Sequence, residues 1–227
     1  PNDFTTIIEK KKASGEKILD LSQSNPTTAG FSFSPTKTLP QLHGAEDLYR
    51  PSAQGMKSAR DAIRRYYQTN HHGLVNSDDL LLTASTSEAY SFIIKLLTDP
   101  GDEILIPAPS YPLFDFLATL ENVRPTRYML RENDSGQWRI DFNSLAQQIS
   151  SLTKAIVVVN PNNPTGSYMT GKELQQLALL CQTHQMALIV DEVFLDYSAS
   201  GNCTDSCSAV ANTAALTFTL SGFSKIL

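Results

Sequence analysis

Four short segments of this sequence carry residues whose types and spacing suit chemistry on a small charged molecule. At 83–88 the order Thr-Ala-Ser-Thr-Ser-Glu places Ser85, Thr86 and Ser87 at the start of a helix. The free N–H groups and positive dipole end of such a helix suit a phosphate, and the hydroxyls add donors; the same residues also make an ordinary cap. At 160–166, Asn-Pro-Asn-Asn-Pro-Thr-Gly follows an apolar run, and its Asn-Pro pairs form a tight turn unaided. At 187–192 a fully apolar run ends in Asp191 and Glu192. A buried carboxylate is costly unless it meets a cation or hydrogen-bond donors. Alternation along a strand sends the two to opposite faces, with Glu192 read as a structural or solvated carboxylate. At 219–225, Thr-Leu-Ser-Gly-Phe-Ser-Lys ends on Lys225. A lysine amine held out of bulk water can act as a nucleophile and carry protons. A Ser-Lys pair alone is surface decoration, so its meaning comes from following the other three segments.

In that order the segments resemble those of the pyridoxal-phosphate-dependent aminotransferases of the aspartate aminotransferase superfamily, class I/II and fold type I. The resemblance implies pyridoxal 5'-phosphate as cofactor, with Lys225 its Schiff-base lysine and Asp191 paired with the protonated pyridine nitrogen, both catalytic. It implies Asn163 as donor to the ring's phenolic oxygen, and Ser85, Thr86 and Ser87 as phosphate contacts. Pro-Ser-Tyr-Pro at 109–112 resembles the segment whose aromatic ring stacks on the pyridine, which would be Tyr111. Tyr49, with the Arg-Pro-Ser-Ala-Gln-Gly that follows it, resembles the tyrosine that reaches the neighbouring subunit's phosphate, so a homodimer is implied. Either aromatic could otherwise be core. The implied activity is transfer of an amino group between an amino acid and a 2-oxo acid. Carbon-sulfur lyases and cyclopropane-forming synthases share these motifs, and a non-catalytic ligand-sensing domain is an alternative of another class.

Two positions depart from the family pattern. Phe194 stands where a tyrosine usually hydrogen-bonds the phenolic oxygen. Its loss leaves Asn163 as the side-chain donor there and raises the pKa of the internal Schiff base. Ser24 stands in place of a glycine in the loop 21–27 that resembles the substrate side, which works against close backbone approach.

The elements that must position these residues follow from hydrophobic pattern. Apolar runs at 80–83, 103–107, 124–130, 155–159, 187–190 and 216–220 read as strands, several of them apolar on both faces. A helix over 86–97 follows Ser85, whose spacing to Glu88 fits a capping box, and a second helix runs from Thr170 with Glu173 to His184. A further helix over 53–70, capped by Ser52, leads into this region. The alternation predicts an α/β fold, a three-layer α/β/α sandwich around a mostly parallel sheet, with residues 46–227 forming the cofactor-binding large domain. Residues 1–45, with a short helix at 3–12, a strand-like run at 17–21 and a Ser/Pro/Thr-rich loop, read as an arm and substrate-side segment. The resemblance also predicts a basic phosphate contact, a last strand and most of a small domain beyond residue 227.

Bulk properties narrow the classes. The chain has 227 residues, 41% hydrophobic and 18% charged, which is globular composition with room for a core. Net charge is −5 and no basic run exceeds Lys10, Lys11 and Lys12, so no nucleic-acid footprint is expected and small molecules are the expected partners. No apolar run approaches the roughly 20 residues that span a bilayer. The first residues lack a signal-peptide pattern, and a cytoplasmic location is expected. Cys181, Cys203 and Cys207 are odd in number and lack companions at zinc spacing, so neither a disulfide framework nor a metal site is expected.

Overall fold

The computed structural model describes residues 3–19, 52–70, 75–197, 207–211 and 214–225. The division between residues 45 and 46, the loop 21–27, Tyr49 and Cys203 lie outside them. Six strands form one sheet: β1 (Glu103–Ala108), β2 (Arg124–Glu132), β3 (Trp138–Ile140), β4 (Thr153–Val159), β5 (Ala187–Asp191) and β6 (Thr217–Leu220), in the order β3-β2-β1-β4-β5-β6. All neighbours are parallel except β2 and β3, a hairpin whose turn is held by the Asn133 side chain accepting from the Ser135 and Gln137 N–H groups.

Helices cover both faces, giving the expected three layers. On one face α3 (Thr86–Leu97) and α4 (Leu113–Leu120) pack Tyr90, Ile94, Phe114 and Leu117 onto Ile104, Ile106, Val157, Val159 and Ile189. On the other, α5 (Phe142–Gln148) and α6 (Gly171–His184) pack Leu145, Leu177 and Cys181 onto Leu105, Ile156, Val158, Leu188 and Val190. Odd and even positions of β5 thus feed different cores, which is why that strand is apolar throughout. α1 (Asp3–Ala13) buries nothing, and α2 (Lys57–Asn70) buries Arg60 and Tyr67.

The run 80–83 is not a strand: its Leu82 N–H donates to the Gln54 carbonyl, a loop partner rather than a ladder. Residues 17–19 of the strand-like run at 17–21 form no strand either. α2 begins at Lys57, because Ser52 does not cap it but accepts from Gly55 in a turn with Gly55 at φ +86°, a conformation that suits glycine. Ahead of α3 the box is half made: Ser85 accepts from Glu88 N–H, while the Glu88 carboxylate reaches Ala84 N–H. The box at Thr170 and Glu173 is complete. β3, α4 and α5 had no counterpart in the sequence reading.

The topology makes one crevice. From β1 the chain crosses by α4 to β2 on one side, and from β4 by α6 to β5 on the other, with the two helices on opposite faces. Loops leaving the carboxyl ends of β1 and β4 therefore diverge, and such a switch point is where open α/β sheets hold ligands.

Candidate active site

Strand register brings the candidate residues to the carboxyl edge of the sheet. Val159 aligns with Asp191 and Asp191 with Leu220. Beyond those pairs Asn160 N–H donates to the Asp191 carbonyl (2.8 Å) and Glu192 N–H to the Leu220 carbonyl (2.7 Å), so the three loops depart level with one another. There a cavity of about 150 Å³ is lined by Thr86, Ser87, Tyr90, Tyr111, Asn163, Asp191, Phe194, Ser224 and Lys225, among others. Lys225 and Asp191 share this edge. Ser85 is not among the lining residues: its hydroxyl oxygen caps α3, the ordinary role open to it from the start. Tyr49 lies outside the described residues.

The turn 160–166 sorts its three asparagines. Asn160 is fully buried, donating to the Cys207 carbonyl (2.9 Å) and accepting from Met169 N–H (2.9 Å). Asn162 donates to the Pro109 carbonyl (3.3 Å) and the Thr165 hydroxyl (3.0 Å), tying this turn to the one after β1. These two build the loop, which frees Asn163 to line the cavity.

The carboxylates separate as alternation requires. Asp191, 9% exposed, lies on the α3 side, where Oδ2 accepts from the Tyr90 hydroxyl (3.1 Å) and Oδ1 from Val193 N–H (3.1 Å). Burial raises its pKa, and the two donors pull it back. Glu192, 1% exposed, points to the other face, where it accepts from the Ser208 hydroxyl and Ala209 N–H, both at 2.6 Å. It is structural rather than solvated, and burial pushes its pKa up to about 7.

Lys225 ends a 3-10 turn, Phe223–Lys225, and is half-buried. Its ammonium lies 6.0 Å from the Phe194 ring centroid, and its carbonyl accepts from the Tyr197 hydroxyl. Phe194 and Tyr197 meet edge to face at 6.2 Å. Tyr197 is not among the lining residues, and its hydroxyl bonds the lysine's backbone. Sequence reasoning passed over both Tyr90 and Tyr197. Tyr197 lies three residues beyond Phe194 in the same segment, whereas nothing local marks Tyr90.

The donor set fits a flat, cationic, phosphorylated ring. Asp191 is a buried carboxylate whose charge meets two donors and no ion pair among the described residues, and it lines an open cavity, so a cationic N–H is the chemistry it lacks. At the α3 end, the first-turn N–H groups have no helical acceptor, and Thr86 and Ser87 line the cavity. Among the described residues no cluster of His, Cys, Asp and Glu could hold a metal, and no helix is long and apolar enough to cross a membrane.

Comparison with known proteins matches residues 16–227 to the family model described as aminotransferase class I and II. The alanine aminotransferase of Mycobacterium tuberculosis is 34% identical over 190 residues, which make up 81% of this chain and 43% of that protein. The glutamate-pyruvate aminotransferase AlaA of Haemophilus influenzae is 30% identical over 217 residues, 93% of this chain and 52% of that one. The alanine aminotransferase of Pyrococcus furiosus superposes with a TM-score of 0.82 at 27% identity, covering 98% of this chain and 56% of that one. The chain spans about half the length of the curated relatives it matches.

Proposed function

Because the chain belongs to the aminotransferase class I and II family, we propose that it forms the cofactor-binding part of an enzyme that moves an amino group between an amino acid and a 2-oxo acid, with pyridoxal 5'-phosphate in the cavity at the sheet's carboxyl edge. The observation that carries this reading is the meeting of Thr86, Tyr111, Asn163, Asp191 and Lys225 around one cavity, from five separate segments. The names of the two curated relatives favour alanine and glutamate as amino donors, with pyruvate and 2-oxoglutarate as the matching acceptors, over a lyase or a sensor.

In this reading Thr86, Ser87 and the free N–H groups of α3 hold the phosphate, with Ser85 keeping that turn in shape. Asp191 would accept from the ring N–H, Asn163 would donate to the phenolic oxygen, and Tyr111 would lie against the ring. The bound ring supplies an electron sink for the carbanion formed at the substrate's α-carbon. The Lys225 amine would take that α-proton at Nζ and give it up at a different carbon, since handing it back would only restore the amino acid. Phe194 adds an apolar wall near that amine and helps keep water from it. Tyr49 would contribute from a neighbouring subunit of a homodimer.

The test is purified protein with pyridoxal 5'-phosphate, L-alanine and 2-oxoglutarate, with pyruvate measured. Pyruvate that accumulates beyond one equivalent of the protein only when 2-oxoglutarate is present, and is lost in Lys225→Ala, is the expected outcome. Pyruvate, ammonia and sulfide released from L-cysteine without an acceptor would replace the reading with a lyase, and cofactor binding without turnover of any amino acid would favour the sensor.

A further inference from the structure

We propose that Tyr90 is a positioning residue for Asp191: its hydroxyl holds one carboxylate oxygen so that the group faces the ring nitrogen of the cofactor. The inference rests on the reading of the cavity as a pyridoxal-phosphate site. Tyr90 is 3% exposed and packs edge to face on Phe114 at 5.2 Å, a place that a phenylalanine would fill as well. The phenol oxygen is what needs explaining, since a buried hydroxyl is costly unless bonded. Its acceptor is Asp191 Oδ2 at 3.1 Å, 101 residues away in sequence.

The two donors on Asp191 differ in what they can control. Val193 N–H comes from the backbone just after the strand, so it moves with Asp191 itself. Tyr90 comes from α3, and it lies one turn after Thr86 on the same helix face, where both line the cavity. One helix therefore presents a phosphate contact at its first turn and fixes the carboxylate at its second. In this way the distance between the ligand's two polar ends is written into α3. Burial and the neighbouring Asp191 charge hold the Tyr90 hydroxyl in its protonated form, so it remains a donor whenever Asp191 is ionised.

Tyr90→Phe keeps the packing on Phe114 and removes only the donor. The experiment measures dissociation constants of the cofactor-free full chain for pyridoxal 5'-phosphate and for its analogue with C–H in place of the ring nitrogen. In the parent the analogue should bind more weakly than the cofactor. In Tyr90→Phe the cofactor should weaken about tenfold, as for loss of a hydrogen bond to a charged group, and the analogue by less than about twofold. With Asp191→Asn already present, Tyr90→Phe should no longer alter the preference between the two ligands. Equal weakening of both ligands would make Tyr90 a structural support of α3 and overturn the proposal, as would no change in either. A parent that binds neither ligand, or both equally, would instead sink the reading of the cavity itself.

Discussion

Removing the charge of Glu192 should change how stability depends on pH, with little change in fold. The side chain is 1% exposed on the α5 and α6 side of the sheet, and its oxygens accept from the Ser208 hydroxyl and Ala209 N–H. Burial raises its pKa from 4.5 to about 7, the nearby Asp191 and Asp196 charges add to the rise, and the two donors oppose it. Between those values the folded chain binds more protons than the unfolded chain, so stability falls as pH rises from about 4.5 to about 7. A shift of this size corresponds to a few kcal/mol, on the order of 3 at most, at roughly 1.4 kcal/mol per unit. Glu192→Gln cannot titrate. Its amide NH2 meets a donor where a carboxylate oxygen accepted one, which adds a pH-independent cost of about 1–2 kcal/mol on top of the lost titration. Asp191, Cys207 and Tyr67 also sit in this field, but they are present in both proteins. Urea unfolding of the cofactor-free proteins at pH 5 and pH 8 should therefore show the parent losing up to about 3 kcal/mol relative to the variant. Parallel profiles would mean that Glu192 is not held against burial, and the reasoning would fail.

Two further perturbations separate scaffold from site. Gly55→Ala should lower stability by about 2 kcal/mol or more, read as a fall in Tm, because φ +86° disfavours any side chain and a Cβ there would lie 2.7 Å from Leu82 Cβ; an unchanged Tm would refute this account of where α2 starts. Asn162→Ala should lower stability by about 1–2 kcal/mol through its lost bonds to Pro109 and Thr165. Asn163→Ala should leave stability unchanged and weaken pyridoxal 5'-phosphate about tenfold, and the opposite assignment of the two losses would exchange their roles.

How far the sequence revealed the fold depended on whether each signal was local. Strands 155–159 and 187–190 are buried on both faces, and their unbroken apolar runs were visible; the structure extends them only to Thr153–Val159 and Ala187–Asp191. The Thr170 and Glu173 box is closed within one turn, and it marked α6 correctly. The run 80–83 misled because apolar content signals burial, whereas a strand also needs a neighbour to bond, and its Leu82 N–H finds Gln54 instead. β3 is too short for periodicity to register, with three residues held by the Asn133 turn. α4 was legible and unread: Pro112 stands just ahead of it, and Phe114, Leu117 and Ala118 share one face.

Within the site the same division holds, and it explains why Tyr90 was missed. Asp191 and Asn163 stand where an apolar strand gives way to polar residues, and Lys225 follows β6 by a few residues, so each carries its own flag in the sequence. Tyr90 sits within the stripe of α3 that packs on the sheet, and an aromatic at such a position reads as core, which it also is. Only the fold reveals that its hydroxyl meets a carboxylate that faces the cavity from the α3 side. A buried charge needs donors, those donors must come from somewhere, and in a parallel sheet covered by helices they come from elements far away in sequence. A strand end can therefore advertise its carboxylate while the group that holds the carboxylate in place stays hidden until the layers are stacked.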